Sequence, residues 1–225
     1  MCRHFILSDE KKFQGTPSNR IVLVNRLKGE RFNNENVVRN RTSGPSVNVW
    51  YYIGPKGKGK LFIAENCKLF DMFGNRVDKN APYEGFDSDS YCYLLEYHAL
   101  PSICKEYKKF FFLQDNASIH LAKVKGTNVC KCDQVFEKFN AKRVIFPAKS
   151  PDLNCIEQVH VLLQRKLDEF LTFTKSPPKN KKQLLRVLKL CWERVDNESV
   201  KRIYFSFLDR CLQVYKLKGN NNVNL

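Results

Sequence analysis

A chain of 225 residues, 43% hydrophobic and with 17 phenylalanines, carries enough apolar material for one well-filled core without covalent staples. No run of about eighteen uninterrupted apolar residues exists, which excludes an ordinary membrane span, and the apolar run after Met1 is too short for a secretory signal. Lys and Arg total 39 against 23 Asp and Glu, a net charge of +16 that attracts polyanions. The basic residues are spread along the chain rather than gathered in one amphipathic helix, which favours nucleic acid over an anionic membrane surface as partner. A soluble, intracellular protein is expected. Nine cysteines stand without regular spacing, which argues against a disulfide framework. Cys130-Lys-Cys132 has one residue between its thiols where zinc sites usually have two or more, so free cysteines are expected.

In chain order, residues 3–8 read as a short buried strand ending at Asp9. Residues 15–45, with an Asn-rich run and Ser43-Gly-Pro, read as a loop or distorted hairpin. Val47–Ile53 and Lys60–Ala64 form a hairpin about the turn Gly54-Pro-Lys-Gly-Lys-Gly59. No helix follows that turn, so it is not a phosphate loop, and Lys56, Lys58 and Lys60 read as a solvated edge. A helix is predicted over Ser90–Tyr107, interrupted near Pro101. Phe110–Leu113 has the length and continuity of a strand buried on both faces. A helix is predicted from Ser118 to Asn140 with a break at Gly126, then a strand over Arg143–Phe146. Alternating strands and helices imply an α/β layer with parallel pairing.

Three helices follow. The first starts near Asn154 and buries Ile156, Val159, Leu163, Leu167 and Phe170. The second buries Leu184, Leu188, Cys191 and Val195, and the third Val200, Ile203, Phe207, Cys211 and Val214. A basic linker, residues 172–182, joins the first two, and residues 219–225 form a frayed tail. The whole chain, 1–225, reads as one domain.

Three acids lie where open α/β sheets carry their chemistry, at strand ends or at the starts of the helices that follow. They are Asp9, Asp115 and Glu157. Each also has a plain structural explanation: Asp9 in a turn, Asp115 capping a helix, and Glu157 in the capping-box-like pattern Asn154-Cys-Ile-Glu157.

The phrases around these acids change that balance. Ile6-Leu-Ser-Asp-Glu-Lys-Lys-Phe13, Ser46-Val-Asn-Val-Trp50, Leu113-Gln-Asp-Asn-Ala-Ser-Ile-His120 and Pro147-Ala-Lys-Ser-Pro-Asp-Leu-Asn-Cys-Ile-Glu157 resemble, in order, the DDE catalytic domain of Tc/mariner-type transposases. Phe207-Leu-Asp-Arg-Cys211 extends the resemblance into the last helix. It implies a ribonuclease H-like mixed sheet flanked by helices, with further helices at the C-terminus. It also implies an acidic triad of Asp9, Asp115 and Glu157 holding Mg²⁺ or Mn²⁺, two ions in all. The implied activity is DNA strand cleavage and strand transfer, acting on transposon ends and target DNA in the nucleus, with a homodimer as a candidate assembly. Hard cations take oxygen ligands, and two of them suit an in-line phosphoryl displacement. Asp152 is the rival third acid and reads better as a turn cap. Glu10 is expected to face solvent or support the site from behind. His120 and Asn116 read as positioning residues for Asp115, and His4, His98 and His160 as structural.

Several features depart from the family pattern. The 41 residues between Asp115 and Glu157 are several more than usual, with the excess expected near Gly126–Cys132. Cys155 stands where the family has proline, and His160 where a tryptophan is common. Residues 14–40, where the family places a DNA-contacting, dimer-linking excursion, match poorly. Asp9 is so near the start that paired helix-turn-helix modules have no residues to occupy. A catalytic fragment or truncated product is therefore expected, binding DNA mainly through phosphates. The alternative reading is a catalytically silent, transposon-derived DNA-binding or interaction protein.

Overall fold

A computed structural model describes residues 4–16, 44–66, 85–145, 154–174 and 176–218. Five strands form one mixed sheet in the order β3-β2-β1-β4-β5. β1 (His4–Gln14) pairs antiparallel with β2 (Ser46–Gly54), which turns at Pro55 and Lys56 into β3 (Gly57–Ile63). On its other edge β1 pairs parallel with β4 (Phe110–Gln114), and β4 with β5 (Lys142–Ile145). Together with the flanking helices, this is the expected ribonuclease H-like mixed sheet. Gly57 sits at φ +98, a conformation that the tight turn requires and glycine accepts without strain.

β1 runs five residues beyond Asp9 rather than ending there. The ladder to β2 continues as far as Gln14↔Ser46, and Phe13 is fully buried at its far end. Asp9 is thus a mid-strand residue, not a turn residue.

The pleat sends alternate residues to opposite cores. Leu7, Phe13, Val47, Val49, Tyr51 and Leu113 pack against α4 (Ile156–Phe173), α5 (Lys181–Arg194) and α6 (Asn197–Lys216). Ile6, Trp50, Tyr52, Phe110 and Phe112 pack on the other face, against α1 (Ser88–Leu94), α2 (Leu100–Glu106) and α3 (Lys131–Lys138). β4 is therefore apolar on both faces, as its unbroken run predicts.

The helical run from Ser88 to Glu106 is not broken at Pro101. Residues 95–99 form a π turn in which the Leu100 N–H reaches back to the Leu95 carbonyl. The wider turn comes directly before the proline, whose missing N–H would otherwise leave a gap in an α ladder. The helix predicted from Ser118 is corrected: Ser118–Leu121 are turns, and Lys123 bridges antiparallel to Cys130. Gly126, at φ +78, and the Thr127 hydroxyl on the Val124 carbonyl close this small hairpin, so helix begins only at Lys131.

Residues 146–153, including Asp152, lie outside the described residues, as do most of the 15–45 excursion and the tail 219–225. α4 extends to Phe173 and α5 starts at Lys181 behind Asn180, whose side chain accepts the Gln183 N–H. The predicted buried face of α5 holds in full. On α6, Tyr204 joins Val200 and Phe207 in the core while Ile203 and Cys211 are only partly buried.

The hairpin lysines are not all solvated. Lys58 Nζ donates to the carbonyls of Trp192, Glu193 and Val195 at 2.7, 2.8 and 2.6 Å. These acceptors lie at the C-terminal end of α5, where carbonyls lack intrahelical partners and the helix dipole favours a cation. Lys56 donates to the Glu106 carbonyl at 3.1 Å. Lys58→Met is expected to destabilise the fold by about 1.5–3 kcal/mol, the range for hydrogen bonds that involve a charged group. Urea unfolding checks this, with a lowered midpoint and an unchanged slope.

Candidate active site

Asp9 shares its side of β1 with Leu7 and Phe13 and so faces α4. Its Oδ2 accepts from His160 Nε2 at 3.1 Å, and its Oδ1 from the Glu10 N–H at 2.8 Å. A carboxylate only accepts, so His160 Nε2 carries the proton. The other ring nitrogen, Nδ1, is hydrogen-bonded to the Tyr51 hydroxyl. Tyr51 is the cross-strand partner of Asp9, and both Tyr51 and His160 are buried. Burial, reinforced by the Asp9 charge, holds the Tyr51 phenol well above its ordinary pKa.

Glu157 is the second residue of α4. The helix start has Cys155 at its cap and no side-chain cap hydrogen bond, so the capping-box reading of Glu157 is corrected. Its carboxylate is exposed and, with Asp9, lines a cavity of about 750 Å³. Glu10, Asp168 and His160 also line this cavity, so that four carboxylates stand beside two cations, Lys11 and Arg165.

Asp115 follows β4 directly. The parallel ladder runs as far as Leu7↔Leu113, and Asp9 and Asp115 each come two residues after that pair, Asp9 still in strand and Asp115 just past the end of β4. The Asp115 carboxylate, however, is held elsewhere. Its Oδ1 lies 2.8 Å from His120 Nδ1 and accepts the Ala117 N–H at 3.0 Å. His120 Nε2 reaches Glu10 Oε1 at 3.2 Å. His120 is 2% exposed and lies against the Tyr91 ring, on the face of the sheet away from α4. Burial alone would lower the His120 pKa, but its bonds to Asp115 and Glu10 outweigh that and push it up to about 10. The same His120 bond is the largest influence holding Asp115 below the usual carboxylate range. Burial raises Glu10 despite that partner.

Two of the three predicted acids, Asp9 and Glu157, therefore open onto one cavity, while Asp115 stands beside it in a second network. Among the described residues no three His, Cys, Asp or Glu side chains form a group that could hold a metal. The donor set is nonetheless all carboxylate oxygen, which suits a hard divalent ion. Glu10 is only partly exposed and is paired with His120, and His160 holds Asp9. The available signal for His160 was its i,i+3 spacing from Glu157, which puts both on one side of a helix. His120 touches Asp115, the residue it was expected to position, and Glu10 as well. Cys130 donates its thiol to the His120 carbonyl, and Cys92 and Cys132 sulfurs lie 3.7 Å apart as free thiols.

No family model matches the chain, and no curated protein matches its sequence. Among solved structures it is similar to a mariner Mos1 paired-end complex with Mg, at TM-score 0.65 and 16% identity over 96% of this chain and 56% of that one. The corresponding complex with Mn gives 0.62 and 15%, over 96% and 56%. The catalytic domain of Mos1 mariner transposase alone gives 0.54 and 15%, over 96% and 82%. The fold is that of a mariner transposase catalytic domain. The chain spans little more than half of the protein chains in the two Mos1 complexes and most of the isolated Mos1 domain. In this Mos1-like fold the cavity between β1 and α4 lies on the α4 side of the sheet, and Asp115 comes just past the end of the next strand.

In the metal-free chain, His120 gives a pH prediction. Its folded pKa is raised, so its contribution to stability is full below about 6.5 and is lost as pH rises toward about 10. NMR of the ring is expected to show titration near the upper limit. The unfolding free energy of the parent should fall across this window more steeply than that of His120→Gln.

Proposed function

We propose that this chain is a DDE transposase catalytic domain of the Tc/mariner type that cuts and joins DNA strands by metal-dependent phosphoryl transfer. The observation that carries the reading is the opening of Asp9 and Glu157 onto one cavity within this fold, with Asp115 just past the end of the adjacent strand. The neighbours' complexes with transposon ends and the net charge of +16 support DNA, both transposon ends and target, as substrate. The nucleus is the matching compartment.

Asp9, Asp115 and Glu157 are the residues that would hold Mg²⁺ or Mn²⁺. When bound, such ions supply Lewis-acid polarisation of phosphoryl oxygens and activation of an attacking water or DNA 3′-hydroxyl. Lys11 and Arg165 offer cations to the phosphates flanking the scissile one. Asp115 joins this set by rotating away from His120. One observation favours the second reading, a silent DNA-binding protein: Asp115 is bound to His120 and does not line the cavity.

The purified chain is expected to nick DNA with Mg²⁺ or Mn²⁺. Asp115→Asn and Glu157→Gln should each lower the rate by at least about 100-fold, the scale for losing a group that stabilises transition-state charge. Equal activity in these variants would remove the site assignment. An inactive parent that still binds DNA in a salt-sensitive way would favour the silent protein.

A further inference from the structure

The Asp9 carboxylate is held by a hydrogen-bonded chain that crosses the core from β2 to α4. Tyr51 is fully buried and His160 is 6% exposed, and their polar atoms meet inside an otherwise apolar cluster. Burying such groups costs free energy unless each is hydrogen-bonded. A leucine at position 160 would fill this space without that requirement. What the histidine adds is a second reach: Nδ1 meets Tyr51, and Nε2 meets Asp9 Oδ2 at 3.1 Å. The Glu10 N–H occupies one acceptor position on Oδ1. Each Asp9 oxygen thus has one donor and keeps a further lone-pair direction for the cavity. His160 also lies three residues after Glu157 on α4, where side chains are about 5–6 Å apart at Cβ. One helix therefore presents Glu157 to the cavity and ties down the acid opposite.

We propose that Tyr51 and His160 are positioning residues for Asp9: the Tyr51 hydroxyl donates to His160 Nδ1, fixing the ring with its proton on Nε2, and Nε2–H holds the Asp9 carboxylate in register with Glu157. The inference rests on the reading of Asp9 and Glu157 as metal ligands, but the ring's protonation pattern is independent of metal. Outer-shell hydrogen bonds of this kind orient ligands, and their loss typically costs about 10–100-fold in metal affinity.

The test uses the full chain in two measurements. Long-range ¹⁵N–¹H NMR of the histidine-labelled, metal-free protein is expected to show His160 protonated at Nε2 and bare at Nδ1, with that preference weakened in Tyr51→Phe. A ring protonated at Nδ1, alone or together with Nε2, overturns the proposal. Calorimetric Mn²⁺ titration is then expected to show about 10–100-fold weaker binding in His160→Leu. His160→Gln, whose amide keeps a donor at similar reach, should recover most of that loss, and Tyr51→Phe should fall between. Circular dichroism and thermal melting establish that each variant is folded; if His160→Leu is not, Tyr51→Phe and His160→Gln carry the comparison. Parent-like Mn²⁺ affinity in folded His160→Leu overturns the positioning role. A parent that binds no Mn²⁺ overturns the metal-site reading instead, and the NMR pattern still tests the Tyr51–His160–Asp9 chain.

Discussion

β1 is paired antiparallel to β2 on one edge and parallel to β4 on the other, and this double pairing fixes which way Asp9 points. Side chains alternate along a strand, so a slip of one residue would turn Asp9 to the far face and bring Glu10 toward α4. Both ladders oppose that slip. Against β2, Phe13 and Leu7 must stay on the side of Val47, Val49 and Tyr51; against β4, Leu7 must stay level with Leu113. The apolar residues of β1 therefore serve the polar one. Their burial sets a register from which the facing of Asp9 follows.

The same pleat explains why the site has two polar networks rather than one. Asp9 and Glu10 are consecutive and face opposite cores, and each meets a buried histidine there. On the α4 face His160 links Asp9 to Tyr51, and on the other face His120 links Glu10 to Asp115. These groups sit where hydrophobic residues would cost less, and each is matched to a partner of opposite hydrogen-bonding character. Polar cores satisfied in this way resist rearrangement, because a member that loses its last partner is stranded. Two of the proposed ligands, Asp9 and Asp115, belong to these networks, whereas the third, Glu157, stands on the helix surface free of a capping role.

The layered fold was legible in the sequence because its signals are local. The doubly apolar Phe110–Leu113 run, the β-branched and aromatic hairpin, and the amphipathic faces of α4 and α5 each reflect burial that a single element records. Two readings failed for physical reasons. The strand ending at Asp9 did not end there, because the polar residues Glu10 to Lys12 are retained by the ladder to β2 rather than by their own propensity. The helix at Ser118 gave way to a hairpin because Gly126 and Thr127 favour a closed turn over helical hydrogen bonds. At the site, the phrases around the three acids singled them out, and two of them, Asp9 and Glu157, open onto one cavity, but nothing in those phrases pointed to the histidine networks. His160 and Tyr51 are 109 residues apart, and Glu10 and His120 are separated by 110, so only the tertiary fold brings them together.

Asp115 shows how such a network can hold a residue without trapping it. Asp115 comes just past the strand beside that of Asp9, and two carboxylates brought together there would repel. The His120 imidazolium relieves this by drawing Asp115 to the opposite side. Bound to one carboxylate alone, that cation would be stranded if Asp115 turned back, and a buried unpaired charge is strongly unfavourable. His120 has two partners, however, and its bond to Glu10 remains when Asp115 leaves. Glu10 thereby lowers the cost of moving Asp115 toward Asp9 and Glu157. A residue with no place in the proposed ligand set thus bears on whether that set can assemble.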